Sequence, residues 1–257
     1  MNVIIMPCIG NRPWVKYTSE NVKSYCNRHN IDFKIITEVS RELKEGLKNI
    51  KGTRKNIESY AMKLYLVNQY ADKYDRIVIL DDTCMFHTDA PNIFDEIEED
   101  KLGIYVYLEK THSFQKEKIK GSFEAHMNPI REFQRKRNEI PILEDIKKRF
   151  NGGIMVYNKS HKKVFSLKNI LYASDLLKSL YPQQTLAYYL IQKYNIETQL
   201  MNVKWHYTPG EDKGLQLKQR RYLKNIKPYL KQDKYMIHFT SVSEYRYELI
   251  KQVKDLI

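Results

Sequence analysis

A chain of 257 residues with 42% hydrophobic and 29% charged side chains can bury a substantial core, which excludes both a disordered and a membrane-embedded class. Its 44 Lys and Arg against 31 Asp and Glu leave +13 at neutral pH, a surplus that suits an acidic partner: nucleotide phosphates, nucleic acid or an anionic membrane surface. Cys8, Cys26 and Cys84 are odd in number and form no CxxC pair, which excludes a disulfide framework and fits reduced thiols in a cytosol-like compartment.

Met1 to Ile9 is apolar but short, lacks a basic lead and meets Pro7 and Gly10 too soon for a signal peptide, so a soluble, cytoplasmic protein is expected. The segment Asn2 to Ile9 predicts a first strand, turned by Gly10-Asn11-Arg12-Pro13. From about Trp14 to His29, the spacing of Val15, Thr18, Val22 and Tyr25 or Cys26 predicts an amphipathic helix, and Ile31 to Thr37 a second strand. Glu38 to Asn56 is polar and basic without clear periodicity. So long a structureless loop is expected in a compact fold where it has a function, such as a lid.

Ile57 to Ala71 places Ile57, Tyr60, Ala61, Leu64, Val67 and Asn68 on one helical face. The run Ile77-Val78-Ile79-Leu80 is too short for a helix and reads as a central strand covered on both faces. Strand, helix, strand, helix, strand is the order of a parallel sheet. The fold class is therefore α/β: a Rossmann-like, mostly parallel central sheet flanked by helices, in one domain because no Pro/Gly/Ser-rich linker divides it.

Further on, Ala90-Pro91-Asn92-Ile93-Phe94 starts a short helix, and Leu102 to Leu108 is a strand alternating Ile104, Val106 and Leu108 against Tyr105 and Tyr107. Lys110 to Arg149 is basic and helical in tendency, without a strong apolar stripe. Phe150-Asn151-Gly152-Gly153 opens a strand from Ile154 to Tyr157, its glycine pair allowing close backbone approach. Pro182-Gln183-Gln184-Thr185 begins a helix to Tyr194, Val203 to Tyr207 reads as a strand edge, and Tyr235 to Thr240 as a last strand before a terminal helix.

The chemistry concentrates where the Ile77 to Leu80 strand delivers Asp81 and Asp82 to its carboxyl end, the place where open α/β sheets collect ligands. Adjacent carboxylates repel and are costly to desolvate, and a hard divalent cation bound by both is one physical reason for the pairing. Asp-Asp-Thr is also ordinary turn chemistry. A lone His238 in an apolar strand, taken by itself, is more often a satisfied core group, Lys63 could face solvent, and Asn11 is plain turn material.

In their order along the chain, Lys63 on the helix before the acidic strand end, Asp81-Asp82, Asn151-Gly152-Gly153, Gln183-Gln184 and Ile237-His238-Phe239-Thr240 resemble the GT-A nucleotide-sugar glycosyltransferases. The resemblance is to the family 8 type, which includes glycogenin and bacterial lipooligosaccharide galactosyltransferases, and it covers Asn2 to about Ser241. It implies residues 1–109 as a nucleotide-binding half and 110–257 as a donor-sugar and acceptor half. It implies Mn2+ or Mg2+ as cofactor and a UDP-sugar as donor, with Asp81, Asp82, Thr83 and His238 as the metal set. Thr83 stands where the family has a second Asp. The resemblance further implies Lys63 near phosphate and sugar, and Asn11 at base and ribose. It puts Asn151 with Gly152 and Gly153 at the sugar hydroxyls, Gln184 below the anomeric carbon, and Gln183 in place of an Asp. It implies transfer with retention to a hydroxyl of a glycan, protein or lipid acceptor. The loop from His206 to Gly214 could close over a substrate, while Ser241-Val242-Ser243 replaces the family's phosphate-gripping Lys-Pro.

Two other classes fit parts of the pattern. A metal-dependent nucleic-acid-processing enzyme would use Asp81, Asp82 and His238 for Mg2+ under a basic surface, but no nucleic-acid motif is present and no specific nucleic-acid partner is expected. A catalytically silent nucleotide-sugar-binding module would account for Thr83 and Gln183. Thermal stabilisation by UDP with Mn2+, against DNA or RNA, separates the first; Mn2+-dependent hydrolysis of nucleotide sugars separates the second.

Overall fold

The computed structural model describes residues 1–50, 57–106, 116–140, 150–210, 215, 219–220, 222–240, 244–254 and 256–257. A six-stranded sheet forms its centre. Strands β1 (Asn2–Pro7), β2 (Asp32–Ile36), β3 (Arg76–Leu80), β5 (Leu102–Val106), β6 (Phe150–Asn158) and β7 (Thr198–Leu200) lie in the order β2-β1-β3-β6-β5-β7. β1 pairs parallel with β2 and β3, and β5 with β7, while β6 pairs antiparallel with both neighbours. β6 is thus the one reversed strand, and the expected mostly parallel α/β sheet is present. The short strands β4 (Cys84–Phe86) and β8 (Met236–His238) form a separate antiparallel pair.

Alternation along the central strands sorts their side chains to two faces. Val3, Ile5, Ile77 and Ile79 pack with helices α3 (Ile57–Tyr70) and α6 (Pro182–Lys193), whereas Ile4, Met6, Val78 and Leu80 pack with α1 (Val15–Arg28) and β4. All four residues from Ile77 to Leu80 are buried, as a strand covered on both faces requires. Helix α1 buries Thr18, Val22, Tyr25 and Cys26, the face its spacing predicts. Asn30 follows it with φ 53°, a left-handed residue that stops the helix. Proline begins α6 as predicted, its missing N–H being one that no helical carbonyl could accept.

Five expectations need correction. Glu38 to Asn56 is not structureless: α2 (Arg41–Leu47) forms within it, and Leu43 and Leu47, one turn apart, enter the core. Residues 51–56, the rest of the expected lid, lie outside the described residues. The basic region holds α4 (Lys116–Lys136), which does carry an apolar stripe, Met127, Ile130 and Phe133, through a helix that includes Pro129. β5 is buried on both faces rather than alternating, because Leu102, Ile104 and Val106 enter the core that holds α3 and α6 while Tyr105 enters the core that holds α1 and β4; Tyr107 and Leu108 lie outside the described residues. The edge strand falls at Thr198–Leu200, while Val203–Trp205 is a single 3-10 turn. The predicted helix at Ile93 is likewise a 3-10 turn, Ile93–Asp95. Helix α5 (Leu167–Tyr172) precedes α6, and the terminal helix is α7 (Arg246–Val253). No described helix is long and apolar enough to cross a membrane.

Candidate active site

The site is assembled at the carboxyl edge of β3. Beyond Leu80, the Asp81 N–H donates to Gly153 O at 2.8 Å and the Cys84 N–H to Asp81 O at 3.1 Å, so the chain turns sharply and continues as β4. β4 then pairs with β8 in a register that sets Cys84 opposite His238, and the Phe239 N–H donates to Thr83 O at 2.9 Å. Through this pairing, residues more than 150 positions apart meet: His238 Nε2 lies 3.4 Å from Asp81 Oδ2. Lys63, in the first half of α3, lies beside the end of β3 because the helix runs back along the strand it precedes. Its Nζ is ion-paired with Asp81 Oδ1. The two side chains are 17% and 23% exposed, so the pair is reachable from solvent.

The reversal of β6 brings the second motif to the same edge. Leu80 is opposite Ile154, which places Asn151, Gly152 and Gly153 beside Asp81. Each glycine serves a different face. A Cβ on Gly153 would collide with the His238 ring, and one on Gly152 would lie 2.8 Å from Gln183 Oε1. Asn151 Oδ1 accepts the Gly153 N–H at 2.6 Å. At the start of α6, Gln183 is buried and donates through Nε2 to Gly152 O at 3.2 Å, while Gln184, partly exposed, donates to Phe150 O at 3.0 Å.

The tandem carboxylates diverge. Asp81 faces Lys63 and His238, whereas Asp82 Oδ2 lies 3.5 Å from Arg12 Nε and its carbonyl accepts from Thr18 Oγ1 at 3.0 Å. Burial acts to raise the pKa of Asp81, but its neighbours, the Lys63 ammonium first, outweigh it and hold the carboxyl well below the usual carboxylate range. Asp82 goes the other way, raised first by burial and then by the Asp81 charge, with Arg12 and Lys63 only partly opposing. Thr83 is buried within the turn, and Asn11 is exposed in the turn after β1. Burial pushes the Cys8 thiol up to about 12 and Cys84 well above its ordinary value, so neither offers a thiolate here.

Among the described residues no group of three or more His, Cys, Asp or Glu is arranged to hold a metal ion alone. The donor set that does converge is Asp81 Oδ2 and His238 Nε2, whose 3.4 Å separation is one that two ligands of the same small divalent cation take. Such a pair fits an ion whose remaining positions are filled by oxygens of a bound ligand.

Three neighbouring side chains carry no sign of a site role in the sequence. Trp14 has two guanidinium groups against its ring, Arg12 at 5.5 Å and Arg246 at 5.1 Å from the ring centre, and Arg246 Nε donates to Phe239 O at 3.0 Å. These arginines add positive charge beside Asp82; only Arg12, adjacent to Asn11 in the first turn, was close to a motif.

No protein-family profile and no curated protein sequence matches the chain. Solved structures do. Galactosyltransferase LgtC in complex with donor and acceptor sugar analogs superposes with a TM-score of 0.59 at 13% identity, covering 99% of this chain and 96% of its own. A glycosyltransferase involved in glycosylation of the major capsid of PBCV-1 gives 0.56 at 11% identity, over 99% and 98%. Mouse xyloside xylosyltransferase 1 gives 0.50 at 11%, over 93% and 97%. The chain thus has the fold of the GT-A glycosyltransferases along nearly its whole length.

Proposed function

We propose that the protein is a glycosyltransferase that moves a sugar from a nucleotide-diphosphate donor, UDP-linked, to a hydroxyl of a glycan, protein or lipid acceptor, with retention. The observation that carries this reading is the convergence of Asp81, His238, Lys63, Asn151-Gly152-Gly153 and Gln184 at one edge of a sheet whose fold is that of glycosyltransferases.

Asp81 Oδ2 and His238 Nε2 would hold Mn2+ or Mg2+, which when bound supplies Lewis-acid neutralisation of the departing diphosphate. Lys63 places a fixed cation beside that same anion, and its present partner Asp81 keeps the ammonium oriented toward the cleft. Asn151 and the two glycines let polar groups and bare backbone approach sugar hydroxyls closely, where directional donors and acceptors decide recognition. Gln184 offers a neutral amide oxygen near the reacting carbon; a second LgtC structure carries an active-site Gln-to-Glu change, so a glutamine belongs to the active site of that neighbour. Asp82 and Thr83 shape the turn rather than complete a chelate, and Arg12 and Asn11 stand where the nucleotide would enter.

The test is a panel of nucleotide sugars incubated with Mn2+, scored by release of nucleoside diphosphate. Donor-dependent release that Asp81→Ala lowers at least ~100-fold, the scale of several kcal/mol of lost charge stabilisation, supports the reading. Absence of release from every donor, or release unchanged in Asp81→Ala, defeats it.

A further inference from the structure

Behind His238 lies a second buried imidazole that the reaction as described leaves without a task. His206 follows the 3-10 turn Val203–Trp205 in extended conformation, with φ −150° and ψ 97°. Its segment is fastened alongside β8: the Tyr235 N–H donates to Lys204 O at 2.9 Å, Tyr207 N–H to Met236 O at 3.1 Å, and His238 N–H to Tyr207 O at 2.8 Å. The ring is stacked on Tyr105 at 4.4 Å and 20°, and meets His238 edge-on at 88°. His206 Nε2 and His238 Nδ1 are 2.7 Å apart, a hydrogen bond between two residues each 3% exposed.

One proton lies between those two nitrogens, and its owner decides what His238 shows to the cleft. If His206 Nε2 carries it, neutral His238 must carry its own proton on Nε2 and donate to Asp81. If His238 Nδ1 carries it, Nε2 is a bare electron pair. The distance from His238 Nε2 to Asp81 Oδ2 is 3.4 Å, beyond the usual 2.7–3.2 Å of an N–H···O bond, and the other Asp81 oxygen is already paired with Lys63. Two electron-rich atoms held at that spacing suit a cation between them.

We infer that His206 is a positioning residue: it accepts the Nδ1 proton of His238 and thereby fixes the tautomer whose Nε2 is open for a divalent cation shared with the donor diphosphate. Tyr105 holds the His206 ring by stacking, and Gly153 leaves room for the His238 ring that it aims. The inference rests on the proposed metal-assisted reading. Outer-shell hydrogen bonds of this kind typically change metal affinity 10–100-fold when removed.

The test uses the full chain with UDP, and reads Mn2+ binding by the loss of the free-ion electron paramagnetic resonance signal. His206→Phe keeps a ring against Tyr105 but removes the acceptor, and should weaken Mn2+ binding about 10–100-fold. His206→Gln, whose Oε1 can accept, should return it to within a few-fold of the starting protein. Nitrogen-15 NMR of the unsubstituted protein, with His238 identified by His238→Gln, should show the Nδ1–H tautomer. Unchanged Mn2+ affinity in His206→Phe, or an Nε2–H tautomer at His238, overturns the inference. If the unsubstituted protein with UDP binds no Mn2+, the metal-assisted reading itself fails, and the inference falls with it even where NMR finds Nδ1–H.

Discussion

The imidazole of His238 rests directly on the Cα of Gly153, leaving no space for a side chain: a Cβ there would be 2.7 Å from Nδ1 and also 2.7 Å from Asn151 Oδ1. Gly153→Ala must therefore displace a buried ring held by β8. Overpacking of this kind costs about 1–3 kcal/mol, and we expect a loss of that size in urea denaturation. Because the displaced ring also loses its place beside Asp81, donor hydrolysis should fall by more than the stability change explains. Gly152→Ala meets only the end of a side chain, Gln183, and should be milder on both counts. Equal effects at the two glycines would contradict the packing described.

The resemblance to family 8 glycosyltransferases implies an acid at the position of Gln183, which invites the idea that a carboxylate there would improve activity. Its Nε2 donates to Gly152 O from a buried position. Gln183→Glu has nearly the same shape but sets one acceptor against another, so a loss of about 1–3 kcal/mol in stability and no gain in turnover are expected. Chemical denaturation and donor hydrolysis measure the two.

The opposed environments of the two aspartates give opposite pH signatures. Asp82 binds its proton more tightly folded than unfolded. Its favourable contribution is therefore full below its unfolded value of 3.8 and disappears as pH rises through the folded value. Asp82→Asn, neutral throughout, should raise Tm at pH 7 by more than at pH 4. Asp81, held low, contributes stability above 3.8 that is lost as pH falls toward its folded value. Asp81→Asn should lower Tm by a nearly constant amount between pH 4 and 7. Calorimetry across that range checks both signs.

Helix α2 offers a further check on the fold. Leu43 is fully buried with Val39, Leu47 and α3 around it. Leu43→Ala should cost about 2–5 kcal/mol, as deletion of a packed core side chain does. A change below 1 kcal/mol would return this segment to the surface, where a lid would be.

What the sequence disclosed, and what it hid, follows the range of the interactions. Periodicity is local, so α1, α3, β1 and β3 could be read from their own residues, as could the proline that opens α6. The two glycines were visible too, each standing for a close approach. α2 was hidden because only two leucines in a charged stretch enter the core. The stripe of α4 was hidden by Pro129, which ordinarily ends a helix. Strands of three residues carry no usable period, so the β4–β8 pairing that brings His238 to Asp81 was legible only through resemblance. The divergence of Asp81 from Asp82 was not legible at all: at a turn, adjacent side chains need not share a direction, and the sequence could not show that Arg12 would draw one of them away.

Because β8 supplies His238 to a turn near residue 81, a nascent chain has the first strands of its sheet long before these two residues can meet. Synthesis must reach β8 before Asp81 gains its imidazole neighbour. A ribosome-stalled product that ends before β8 would consequently lack both the imidazole beside Asp81 and the partner strand of β4.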